Sequence, residues 1–135
     1  MPTIMADHNA EGHLQFLLSI WMSPDWIELW TNAECEVGSF ERLSIPDNES
    51  DAVIWELCQT YDILLLTCHR NADGEDSLEA VIRRVGTPSS LPVFTIADPD
   101  RLMRDRDYAE RVAARLIEYV IDLDNFRGTG RIYVP

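Results

Sequence analysis

The sequence has no lysine; all 11 of its basic residues are arginines. That absence removes the Walker-type phosphate lysine, a Schiff-base amine, and the lysine that completes receiver-domain or haloacid-dehalogenase phosphate sites. Cysteine is sparse as well, and Cys35, Cys58 and Cys68 show no CxxC spacing. A disulfide framework and a thiolate zinc site are therefore not expected, and the thiols fit a reducing compartment. There is no glycine-rich phosphate loop, because Gly128-Thr-Gly130 lies too near the C-terminus to open a helix. No apolar run approaches the roughly 20 residues that span a bilayer. The N-terminus carries Asp7 and Glu11 and lacks the basic start of a signal peptide. Together these absences point to a cytoplasmic protein without a membrane partner.

What is present is an ordinary globular composition on a strongly acidic chain. The 135 residues, 46% hydrophobic and 26% charged, suit one domain spanning 1–135 with a well-filled core. A net charge of −13 repels a nucleic-acid backbone at long range, so such a substrate needs local attachment through metal or arginine. The same charge invites a basic protein partner.

Along the chain, Thr3 to Ala6 reads as a first strand closed by Asp7-His8-Asn9. A helix is expected from Glu11 to Ile20, and a second from Ser23-Pro24-Asp25, with Ser as cap and Pro in the first turn. Glu36 to Phe40 reads as a short strand and Ser44 to Glu49 as a loop. Ser50 caps the next helix, with Asp51 in its first turn and Val53, Ile54, Leu57 and Cys58 facing inward. Ile63 to Leu66, uninterrupted and apolar, is expected as a central strand covered on both faces. A helix over Ser77–Arg84, a strand over Val93–Ile96, a helix over Asp107–Ile121 and an edge strand at Arg131–Pro135 complete the reading. The alternation predicts an α/β fold: a single three-layer domain with a mostly parallel central sheet.

Ligands of open α/β sheets gather beyond the carboxyl ends of the strands. Asp7 follows the first strand, Thr67 and Asn71 follow the central one, and Asp51 opens the helix that leads into it. Asp73, Glu75 and Asp76 lie in the adjoining loop. Carboxylates gathered on one edge raise one another's pKa unless a cation relieves them, and oxygen-only ligands suit Mg2+ or Mn2+.

The segment Ile4-Met-Ala-Asp-His-Asn9, with Ser50-Asp51 opening a helix and Thr67-Cys-His-Arg-Asn71 closing a strand, resembles the toxin-related PIN-like nucleases. In that family the first strand ends in Asp-x-Asn, a later helix opens with Ser-Asp, and the next strand ends in Thr followed by an Asp-Arg-Asp-like stretch. The resemblance covers about residues 3 to 96. It departs at His69-Arg70-Asn71, where the family's third carboxylate is missing and Asp73 or Asp76 would have to substitute. It implies metal-dependent hydrolysis of phosphodiester bonds, as a ribonuclease. Asp7, Asp51 and Asp73 or Asp76 would form the catalytic, metal-holding set. Asn9, Thr67 and Asn71 would orient ligands or water, and Arg70 would meet a substrate phosphate. The implied partners are RNA, an antitoxin or other basic protein, and a second copy of the chain. The alternative is a PIN-like interaction module without catalysis.

Each of these residues also has a structural reading. Asp7 suits a turn, Asp51 suits a helix dipole, and Asp73-Gly-Glu-Asp76 suits a solvated turn. His8 and His13 are spaced for neither a helix turn nor a strand face, which argues against zinc. Cys68 reads as a buried structural thiol. Trp21, Trp26, Trp30 and Trp55 read as core, and Arg111 and Arg115 with Glu110 and Glu118 as an ion-paired helix face.

Overall fold

Consecutive apolar residues on a strand are stable only where both faces of the sheet are covered. A computed structural model describes residues 2–46, 49–68 and 77–135, and in it these runs form one parallel sheet of order β2-β1-β3-β4-β5. Its strands are β1 (Thr3–Ala6), β2 (Glu36–Gly38), β3 (Ile63–Cys68), β4 (Val93–Ile96) and β5 (Arg131–Val134). β3, the longest, sits in the middle, as its uninterrupted leucines require. Strand alternation divides the core in two. Ile4, Ala6, Leu64, Leu66, Phe94, Ile96 and Val134 point to one face, and Met5, Ile63, Leu65 and Val93 to the other.

Helices α1 (Glu11–Trp21), α2 (Ile27–Ala33), α5 (Pro99–Arg104) and α6 (Arg106–Ile121) cover the first face. Helices α3 (Asp51–Thr60) and α4 (Ser77–Val85) cover the second. The result is the expected three-layer α/β arrangement, with a sheet that is parallel throughout. α6 is the main covering element: Val112, Ala113, Leu116 and Ile117 are almost wholly buried along its inner stripe.

The connections have an unusual feature. β2 to β3, β3 to β4 and β4 to β5 all move in the same direction across the sheet. The first two cross by way of α3 and α4 on one face, whereas the third crosses by α5 and α6 on the other. The last crossover therefore has the opposite hand to the two before it. Since such units are right-handed in about 98% of cases, the β4–β5 connection is the left-handed one.

Several local expectations change. Ser23 does not cap a helix; its hydroxyl turns back to the Ile20 carbonyl at the end of α1, and α2 starts only at Ile27. β2 stops at Gly38, and Phe40 lies in the turn beyond, buried against the α3 face. On α3, Val53 is exposed and Trp55 buried instead, because the face packed on the sheet runs through Ile54, Trp55 and Cys58. α5 was not expected; Asp98, whose side chain accepts from Arg101 N, caps it ahead of Pro99. Trp21 and Trp55 are buried, and Trp21 stacks on Trp30 at 4.8 Å while its indole N–H donates to the Ala113 carbonyl. Trp26 and Trp30 pack against the same core, so the tryptophans are structural as read. Among the described residues, no helix is long and apolar enough to cross a membrane.

Candidate functional site

The strand order reverses between β1 and β3, and in doubly wound sheets the crevice beyond the carboxyl ends at that point takes the ligand. Asp7 stands there. Its backbone N–H donates to the Leu66 carbonyl at 3.0 Å, which extends the ladder one residue past β1. Its Oδ1 accepts from Asn9 N at 3.1 Å, and its carbonyl accepts from Ala10 N. This Asx-type turn sets the direction of the carboxylate and leads the chain into α1. Asn9 thus acts on Asp7 through its backbone.

Asp51 reaches the same edge by a different route. α3 ends near Asp62, whose carbonyl accepts from Thr3 N at the amino edge of the sheet. The ten residues of α3 then run back about 15 Å, against the roughly 20 Å of six-residue β3. The α3 N-terminus therefore lies at the carboxyl edge, with Ser50 Oγ accepting from Val53 N at 3.3 Å. By strand alternation Asp7 and Thr67 belong to the face that α3 covers, so the end of β1 and the start of α3 lie at one edge on the same side of the sheet.

Thr67 has another role from the one its position suggests. It is buried, and its hydroxyl lies 2.9 Å from that of Thr95 on β4 and 3.5 Å from the Phe94 carbonyl. These contacts tie β3 to β4. Arg70, Asn71, Asp73 and Asp76 lie outside the described residues. Among those described, no three His, Cys, Asp or Glu side chains gather closely enough to enclose a metal ion. The donors that are described, Asp7 and Asp51, offer only oxygen, which fits Mg2+ or Mn2+ better than zinc.

Two further side chains border this edge: His8, weighed from the sequence only as a zinc ligand, and Arg42, not singled out there. His8 stacks on Phe40 at 4.5 Å and bonds Glu11 at 3.2 Å, joining the loop after β1 to the turn after β2. Arg42, in that turn, donates to the Val37 carbonyl at 3.3 Å and is exposed. It brings a cation to the edge next to β1. No local signal marks Arg42, because its nearness to β1 comes from parallel pairing of β1 with β2.

On the opposite face Cys68 is half-buried rather than buried. Its neighbour there is His13 of α1, with Sγ 3.7 Å from Nδ1. A cleft of about 430 Å3 opens at the amino edge, bordered by Leu91, Arg127 and Gly130. Neither Asp7 nor Asp51 is among its described lining residues. Because strands of this class present ligand sites at their carboxyl ends, the edge with Asp7 is the stronger candidate despite the size of the cleft. Compared with protein-family models, with curated proteins and with solved structures, the chain has no match in any of the three.

Proposed function

We propose that the chain is a PIN-like, metal-dependent phosphodiesterase that cleaves RNA at the carboxyl edge of its sheet. The placement that supports this reading is that the end of β1, with Asp7, and the start of α3, with Asp51, 44 positions apart in sequence, fall at the same edge of the sheet. A bound Mg2+ or Mn2+ would supply activated water and charge neutralisation at the phosphate. Asp7, directed by the Asn9 N–H, and Asp51, at the start of α3, would hold it, with Asp73 or Asp76 adding the further carboxylate that the family resemblance calls for. Arg42 and Arg70 would meet the substrate backbone, which the overall charge of −13 otherwise repels.

The deciding experiment is thermal unfolding with increasing Mn2+ or Mg2+ on wild type, Asp7→Asn and Asp51→Asn. A ligand that binds only the folded chain stabilises it by RT ln(1 + [L]/Kd), about 2.7 kcal/mol at a hundred times Kd. The expected result is a saturable rise in wild type that both variants lose, together with loss of RNA cleavage. Equal responses in all three proteins would remove Asp7 and Asp51 from any metal site. No response in any of them would favour a PIN-like interaction module without catalysis.

A further inference from the structure

The carboxyl edge carries a second group of reactive side chains, on the face away from Asp7 and Asp51. His13 Nε2 lies 3.1 Å from the Pro99 carbonyl oxygen at the start of α5. A carbonyl can only accept, so Nε2 carries the hydrogen and the neutral ring presents a bare Nδ1. That nitrogen faces Cys68 Sγ at 3.7 Å. The Asn9 carbonyl, 3.6 Å from the same sulfur, competes for the thiol proton. Between these two described acceptors, the imidazole is the one basic enough to remove it. The charged groups on the flanking elements are Asp7 after β1, Glu11 at the start of α1, bonded to His8, and Asp98 and Arg101 at the start of α5.

We propose that Cys68 and His13 form a thiolate–imidazolium pair that reacts with small hydroperoxides. A nucleophile, a base and a carbonyl that fixes the base's tautomer are the parts an activated thiol requires, and here they come from β3, α1 and α5. The half-buried sulfur suits a small electrophile. Sγ attacks one peroxide oxygen and the O–O bond breaks. Sulfur gives up two electrons and becomes a sulfenic acid, and the departing oxygen takes the proton from His13 Nδ1 and leaves as water or an alcohol. This chemistry is independent of the phosphodiesterase reading.

The other two cysteines make the test selective. Burial pushes the Cys58 thiol up to about 12 and, with a smaller opposing effect from the Ile4 backbone, the Cys35 thiol up to about 11. Both stay protonated near neutral pH. The full-length protein is treated with iodoacetamide across pH 5 to 10, and each cysteine's alkylation rate is followed by peptide mass spectrometry. Cys68 is expected to react with a midpoint well below the roughly 8.5 of an ordinary thiol. His13→Gln should return the midpoint to that value or above, slow alkylation at pH 7 at least tenfold, and leave the rate at pH 10 nearly unchanged. Hydrogen peroxide with dimedone should mark Cys68 in wild type and much less in His13→Gln. A wild-type midpoint at or above 8.5 overturns the proposal, and this needs no variant to fold. So does a His13→Gln profile that matches wild type.

Discussion

Thr67 and Thr95 show how a single polar contact can hold two strands in register. Both hydroxyls are buried, at 5% and 1% exposure, and sit 2.9 Å apart on neighbouring strands. Removing one partner leaves the other's hydroxyl desolvated without its bond. Thr67→Val should therefore lower stability by about 1–3 kcal/mol. The double variant Thr67→Val/Thr95→Val should recover most of that loss, because no buried hydroxyl remains. Urea unfolding of both singles and the double measures it, and additive losses would show the two hydroxyls to be uncoupled. The sequence marks Thr67 as a strand-end polar residue but not its partner, since residues 28 positions apart meet only through the β3–β4 pairing.

At the level of the element, capping decided where several helices begin. Ser50 was legible because its bond to Val53 N is local. Ser23-Pro24-Asp25 carries the same signal, yet α1 takes the Ser23 hydroxyl for its own last turn. Asp98-Pro99-Asp100 is a true start that was hidden among interleaved arginines and aspartates. At the junction of α5 and α6, the Tyr108 backbone N–H and then the Arg101 guanidinium hold the Asp105 carboxyl below its ordinary range. A carboxyl lowered on folding stabilises the protein above its unfolded pKa, and the effect is lost as pH falls through the lowered value. Asp105→Asn should thus unfold at a lower temperature than wild type at pH 7, and the gap should close on acidification below the ordinary carboxylate range. Thermal scans from pH 7 to pH 2 test this; a gap that stays constant would assign the effect to geometry instead of charge.

Across the whole molecule the two cores share one sheet, so neither can open alone without exposing the other's strands. Leu64, wholly buried on the α6 face of β3, lies back to back with Ile63 and Leu65 on the α3 face. Leu64→Ala should cost about 2–5 kcal/mol. The shift should be the same whether it is read from Trp21 and Trp30 on one face or from Trp55 on the other, using single-face tryptophan variants. Two separate transitions would show that the layers unfold independently.

The sequence alone determined the elements whose causes are local. A run such as Ile63–Leu66 can be stable only at the centre of a covered sheet, and α6 declares its buried stripe through its periodicity. It also brought Asp7 to the end of a strand and Asp51 to the start of a helix. Tertiary structure decided what those ends meet. Which strands are neighbours, and over which face each crossover passes, depends on burial summed over the whole chain. That is why the β1–β3 crevice, the opposite-handed return to β5, the Arg42 cation and the His13–Cys68 contact follow from the fold, not from any one segment.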